Sequence, residues 1–307
     1  MKSNTPYHMH KTLCLLSLPV LLLTGCWEKP NDPDPHTGRS DVFETVPQRI
    51  PIEPGQIDEA SGLADSRTLD GYIWSHNDDG NLIGLISKDG GQIRRYTMGD
   101  LMTRDWEDIA VGAGPREGVS YLYLADIGNN NSDAAFDISY IYRVPELTNL
   151  NGSFQNNDIE RIMYRYPDGP RDAETLLFDP VSKDLFVVSK ELGRADIYRL
   201  PYPQPTESVI VAELVGSIPS VIMATGGDIS YDGLEILVRT YTSVYYWKRK
   251  AGETVAQTLT QAPHKTLPYQ LEPQGEAVCF DKDAGGYYTI SERGTAPSVT
   301  LNYYKRK

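Results

Sequence analysis

Short apolar runs broken by turn residues recur along the chain from residue 60 onward. In the first unit they cover Ala60 to Ala64, Tyr72 to His76, Leu82 to Ser87 and Ile93 to Met98. Thr68-Leu69-Asp70-Gly71, Asn77-Asp78-Asp79-Gly80 and Lys88-Asp89-Gly90-Gly91 separate them. Asp-Gly and Gly-Gly pairs accept positive φ and close hairpins, so the unit predicts a meander of antiparallel strands. Later units repeat the scheme at Tyr121 to Asp126 with Tyr140 to Val144, and at Leu185 to Ser189 with Asp196 to Leu200. It recurs at Glu235 to Thr240 with Val244 to Trp247, and at Tyr287 to Ser291 with Thr300 to Tyr304. No long stretch of helical period competes, and the pattern predicts an all-β domain.

An acidic residue accompanies the first strand of each unit: Glu59, Glu107, Glu174, Asp228 and Glu276, at intervals of 48, 67, 54 and 48 residues. The interval approaches the period of about 40 to 50 residues of a four-stranded propeller blade. A single β-propeller of five blades follows, with six if the 67-residue interval hides a degenerate one. That interval also holds a loop, Asn129 to Asp137, and a polar insertion, Asn149 to Asp158. The last unit ends after its third strand, while the segment Asp41 to Ile52 is a spare strand ahead of the first blade. This segment is expected to close the ring as the outer strand of the last blade.

The amino terminus suggests an address. Lys2 and Lys11 precede an apolar run, Leu13 to Leu23, which is short for a membrane span and ends in Leu23-Thr24-Gly25-Cys26. The segment resembles a bacterial lipobox, which implies removal of residues 1–25 and lipid on Cys26, with the membrane as a partner. Trp27 in place of Asp after the cysteine favours the outer membrane by the same resemblance. Residues 26–40, with Pro30, Pro33 and Pro35, read as a tether, and residues 41–307 as the propeller. Loss of residues 1–25 removes two lysines and no acids, so the formal charge moves from −13 to −15. Such a body does not bind nucleic acid by bulk electrostatics. Cys279 remains as a lone thiol in a predicted strand, where it reads as a small buried hydrophobe, and no disulfide framework exists.

In a propeller the inner strand starts on the face where the second strand ends. That rule gathers Glu59, Glu107, Glu174, Asp228 and Glu276 at one mouth of the channel, with His76, Asn77, Asp78, Asp126, Asn129, Lys190, Arg239 and Arg293 near them. Five carboxylates around one axis repel unless some are protonated, paired or bound to a metal. Ca²⁺ suits an oxygen-only ring. Equally, Lys190, Arg239 and Arg293 can lock the same acids into a structural ion network.

Two resemblances arise from these residues. Glu59-Ala-Ser-Gly-Leu63, Trp74-Ser-His-Asn-Asp78, Asp105-Trp-Glu-Asp-Ile-Ala110, Asp126-Ile-Gly-Asn-Asn130, Asp172-Ala-Glu-Thr-Leu176 and Gln274-Gly-Glu-Ala277 resemble secreted or lipid-anchored bacterial β-propeller proteins. That likeness covers nearly the whole mature chain and implies fold and location, without a reaction. Glu59 with Ser61, Glu107 after Trp106, Glu174, and Glu276 after Gly275 are also similar to calcium-activated apyrases, five-bladed propellers with a central Ca²⁺. The fourth unit departs from them, offering Asp228 and Ser230.

The expected function is a lipid-anchored envelope protein that binds or scaffolds a protein, glycan or small anionic ligand around a central Ca²⁺ site. The alternative is a metal-dependent hydrolase of phosphate esters or nucleotides. There Glu107 or Glu174 would act as base, and Lys190, Arg239 and Arg293 would neutralise developing charge. A glycoside hydrolase is the third possibility, since paired carboxylates are its main need. No Gly-x-Ser-x-Gly elbow, Walker loop or Cys-x-x-Cys pair occurs, which argues against a serine triad or a zinc enzyme.

Overall fold

The computed structural model describes Met1 and residues 38–129 and 136–307, so the leader, Cys26 and most of the tether lie outside the described residues. Five antiparallel sheets succeed one another along the chain. Blade 1 holds β2 (Ala60–Asp65), β3 (Tyr72–Asn77), β4 (Leu82–Ser87) and β5 (Ile93–Thr97) after a leading strand β1 (Gln48–Pro51). Blade 2 holds β6 (Trp106–Ala113), β7 (Ser120–Asp126), β8 (Ser139–Pro145) and β9 (Glu160–Arg165). Blade 3 is built from β10 (Ala173–Phe178), β11 (Leu185–Ser189), β12 (Ala195–Leu200) and β14 (Glu213–Ile218), while β13 (Val209–Val211) crosses back to pair in parallel with β9. Blade 4 comprises β15 (Ala224–Ile229), β16 (Glu235–Thr240), β17 (Val244–Lys248) and β18 (Lys265–Thr266). Blade 5 comprises β19 (Gln274–Phe280), β20 (Gly286–Glu292) and β21 (Thr300–Lys305), with β1 as its outer strand.

The propeller therefore has five blades, and the long second interval carries four strands with extended connections. Ring closure uses part of the segment the sequence nominates. Ile50 pairs with Leu301 and Gln48 with Tyr303, and an isolated bridge joins Phe43 to Arg306. Pro47 and Pro51 flank or end this strand, which suits an edge that donates few ladder hydrogen bonds. The apolar periodicity does not mark the outer strands β9, β13, β14 and β18, the 3-10 turn at Asn156–Asp158, or α1 (Val255–Leu259), a single-turn helix in the outer hairpin of blade 4. Its start is fixed by a capping box, in which Thr254 and Gln257 exchange side-chain and backbone hydrogen bonds.

The core is divided among the blade interfaces. Trp74 and Trp106 lie between blades 1 and 2, Tyr164 and Leu176 between blades 2 and 3, and Leu177 and Ile236 between blades 3 and 4. Leu237 and Phe280 fill the fourth interface, and Ile50, Leu63, Ile73 and Leu301 fill the fifth. Because β1 contributes Ile50 to that last cluster, the closing strand is an apolar seal as well as a hydrogen-bonded edge. Ile50→Ala is expected to cost about 2 to 5 kcal/mol in a denaturant titration. Val46→Ala, at an exposed position of the same segment, is the control and should leave the midpoint unchanged.

Candidate metal centre

Every inner strand carries the same irregularity at its start. In β2 the pairing with β3 jumps from Ala60 to Gly62, and in β6 the pairing with β7 jumps from Trp106 to Asp108. The jumps recur between Ala173 and Thr175, Ala224 and Gly226, and Gly275 and Ala277. The skipped residues are Ser61, Glu107, Glu174, Thr225 and Glu276. A bulge re-aims the side chain of its extra residue, and here all five bulges lie on the face where the inner strands begin.

Three of the five bulged residues are glutamates, and they meet. One carboxylate oxygen each from Glu107, Glu174 and Glu276 lies within 4.8 Å of the others. The side chains are at most 5% exposed. Lys190, at the end of β11, donates to Glu174 Oε1, with its Nζ 5.3 Å from the centre of the Tyr241 ring. Gln274 Nε2 donates to Glu276 Oε1 at 3.1 Å. Glu174 Oε2 is shielded from solvent and has no hydrogen-bond partner. Gly128 closes one wall: a Cβ there would lie 2.2 Å from Glu107 Oε1 and 2.3 Å from Asp105 Oδ2. Only glycine permits the β7–β8 turn to approach so closely.

Burial is the leading cause that drives the carboxyls of Glu107 and Glu174 well above the usual carboxylate range. Repulsion from Glu174, Asp105 and Glu276 adds to it at Glu107, and repulsion from Glu276 adds to it at Glu174, against the pull of Lys190. Glu276 is raised by burial, with Lys190 opposing. Nearby Glu292 is pushed up to about 7 by burial and then by Glu276, Asp78 and Glu59. With all three glutamates ionised, Lys190 leaves an excess of two negative charges on the triad itself, to which Asp105 and Asp172 add from beside it. The separations fit a Ca²⁺ shell of oxygens at about 2.3 to 2.6 Å from the ion. The donor set is hard oxygen throughout.

The five-acid ring expected from sequence thus contracts to three. Glu59 stands two residues ahead of the bulge, exposed on the rim, where it forms a second group with Asp78 and Asp79. Repulsion from Asp78, followed by burial and Asp79, raises its carboxyl. Its counterparts in the next two blades are Asp105 and Asp172, also two residues ahead of their bulges. The ring position of blade 1 belongs to Ser61. Asp228 lies three residues beyond its bulge at Thr225, where its Oδ1 accepts from Ile229 N at 2.8 Å and its Oδ2 from Phe280 N at 2.9 Å. It keeps some contact with solvent, and loss of the rest of its hydration pushes its carboxyl up to about 7. Asp108 plays the same part between blades 2 and 3, accepting from Ile109 N and from Leu176 N, each at 2.9 Å.

The other sequence candidates divide between scaffold and rim. Arg239 is fully buried and spends Nη1 on the carbonyls of Ala277, at 2.6 Å, and Ile290, at 3.0 Å; Nη2 meets Tyr269 and Glu272. Arg293 Nε pairs with Asp58 at 3.3 Å on the rim. His76 is buried edge-on against Trp106, with Nδ1 2.9 Å from the Asn77 carbonyl, and burial lowers its pKa to about 4, so it is neutral. Asn77 Oδ1 accepts from Glu59 N at 3.3 Å. Asp126 Oδ1 accepts from the backbone N–H of Arg104 and Asp105, and Asn129 N donates to Asp172. These residues fold the loops that hold Asp105, Gly128 and Asp172 beside the glutamates. Sequence reasoning passed over Asp105, Asp172 and Gly128 as site residues, although aligning the units on their apolar residues places both acids two positions before a ring residue.

Asp108→Asn keeps the shape but replaces one of the two oxygens that accept from Ile109 N and Leu176 N with an amide donor, so a stability loss of about 1 to 3 kcal/mol is expected in chemical denaturation. Equal stability of variant and parent would show that the inter-blade staple carries no weight.

No family model and no curated protein matches the chain. Among solved structures it is similar to the PQQ-bound aldose sugar dehydrogenase of Streptomyces coelicolor, with 10% identity over 87% of this chain and 100% of that chain at a TM-score of 0.45. The calcium-binding protein regucalcin of Agrobacterium tumefaciens shows 15% identity over 81% of this chain and 77% of that chain, with a TM-score of 0.46. The Dos1 propeller shows 11% identity over 80% and 68%, with a TM-score of 0.37.

Proposed function

We propose that this chain is a divalent-cation-binding β-propeller of the bacterial envelope, anchored by lipid on Cys26 and acting as a binding protein. The observation that carries the cation is the buried triad of Glu107, Glu174 and Glu276, whose charge Lys190 offsets at contact distance. Ca²⁺ is the proposed ion, because the donors are all oxygen and their separation suits its shell. The anchor rests on the lipobox-like Leu23-Thr24-Gly25-Cys26, and the outer-membrane preference on Trp27.

The phosphohydrolase reading would retain the ion but needs a free anion clamp. Lys190 is committed to Glu174, Arg239 to blade carbonyls and Glu272, and Arg293 to Asp58. Binding is therefore the better reading of this geometry. For a glycosidase, no observation singles out a pair of these acids.

Calorimetric titration of the chelator-treated protein with Ca²⁺ should show one site, and Glu174→Gln should weaken it at least about tenfold, by about 1.4 kcal/mol or more. Lys190→Met should destabilise the metal-free protein and be rescued by Ca²⁺. Absence of binding by a folded parent would leave a structural network around Lys190.

The raised carboxyls also set a pH dependence. A carboxyl with a raised folded-state pKa favours the native state while protonated, so its contribution fades as pH rises through that pKa. The metal-free protein should lose thermal stability as pH rises from about 4 to 7, the window between the ordinary carboxyl range and the shifts to about 7 at Asp228 and Glu292. Saturating Ca²⁺ should reduce that slope and release protons on binding. A melting temperature independent of pH without metal would contradict this electrostatic account.

A further inference from the structure

The face that bears the glutamate triad also carries exposed apolar loop tips. Strand alternation places on this face the loops that enter each blade and the loops between second and third strands. Met102 stands on the loop into blade 2, Leu192 between β11 and β12, Ile222 on the loop into blade 4 and Leu271 on the loop into blade 5. They are 92%, 81%, 49% and 76% exposed. Single exposed apolar residues are ordinary, but four loops on one face raising an aliphatic or thioether side chain around a common axis form a pattern. On the opposite face two such residues are largely exposed, Val181 at 69% and Tyr231, whose ring lies beneath the Arg67 guanidinium at 4.7 Å.

Charge decides what such a face accepts. Glu59, Asp78 and Asp79 crowd one side of the mouth with oxygens within 4.8 Å of one another. Arg293 is the cation that eases Glu59, and it already pairs with Asp58. The chain as a whole has a formal charge of −13, so a second copy or an anionic lipid surface would bring like charge to this face. We propose that this face docks a partner segment in which lysine or arginine side chains are interleaved with apolar ones. The cations meet the acidic rim, and the apolar side chains cover Met102, Leu192, Ile222 and Leu271. The proposal deepens the binding-protein reading by naming the partner's chemistry, and it does not require the central ion.

The test uses the purified protein and a short fluorescent peptide of interleaved lysine and leucine, followed by anisotropy in chelator and again in Ca²⁺. Binding should occur in both, weaken with salt, and vanish when glutamate replaces the peptide's lysines. The double variants Asp78→Asn with Asp79→Asn, and Met102→Ser with Leu192→Ser, should each weaken it about tenfold. Asp89→Asn with Asp283→Asn makes the same charge change on the opposite face and should have no effect. Equal weakening by both charge pairs would reduce the effect to bulk charge and overturn the proposal. It would also fall if the Met102/Leu192 variant abolished self-association or capture by anionic vesicles while peptide binding stayed intact. Failure of the Ca²⁺ titration with persistent peptide binding would refute the metal centre alone.

Discussion

The five inner strands converge on one axis and each begins with a bulge, so whatever residue occupies a bulge is forced into the company of the other four. That geometric constraint organises the molecule. It brings Glu107, Glu174 and Glu276 together from positions as distant as 169 residues. The same constraint assigns Ser61 and Thr225 to the remaining positions, where hydroxyls add no charge. The Ser61 hydroxyl faces the Glu59 carbonyl at 3.4 Å, and that of Thr225 donates to the Gly275 carbonyl at 2.9 Å. The axis is acidic on the sides of blades 2, 3 and 5 and neutral on those of blades 1 and 4. An ion held there is gripped from three blades, with two sides left to neutral oxygens or water.

The blade architecture was legible because turn chemistry punctuates it. Asp-Gly and Gly-Gly pairs fall between apolar runs, and the outer strand missing from the last unit matched the spare segment before the first. Glu107, Glu174 and Glu276 were legible as a ring for the same reason. Glu59 and Asp228 were misplaced because spacing between acids does not report register. A shift of one residue along a strand moves a side chain to the other face, and a bulge makes that shift without any mark in the pattern of apolar residues. The helix at Val255–Leu259 escaped notice because a single turn is too short to establish a period.

The buried polar groups elsewhere supply an internal comparison for the triad. Asp179 accepts from both Nη atoms of Arg249, joining blades 3 and 4. Glu235 receives Arg306 and the Tyr246 hydroxyl, and Glu146 receives Trp74 Nε1 at 2.9 Å together with the Ser66 hydroxyl. Glu272 balances Arg239 and accepts as well from Thr289 and Asn302. Asp108, without a cation, is clamped by two backbone N–H groups. Each of these acids receives at least two donors.

The three axial glutamates break that rule. At contact distance they share the Lys190 ammonium and the Gln274 amide, Glu107 is hydrogen-bonded to the Asp105 side chain, and Glu174 Oε2 receives nothing. A buried charge without a partner costs several kcal/mol, and replacing such groups with apolar residues is often neutral or stabilising. Single buried oxygens of Glu146 and Asp65 also lack a partner, so what sets the triad apart is three carboxylates meeting at one point with one ammonium in contact. That concentration of charge is what supports the proposed cation site. The surrounding staples hold that site rigid: Asp108, Asp228 and Arg239 each bind backbone of the neighbouring blade, so the inner strands cannot spread independently to relieve the repulsion. The acids must then be protonated or find a counter-ion, and it is this choice that couples the stability of the ring to pH and to metal.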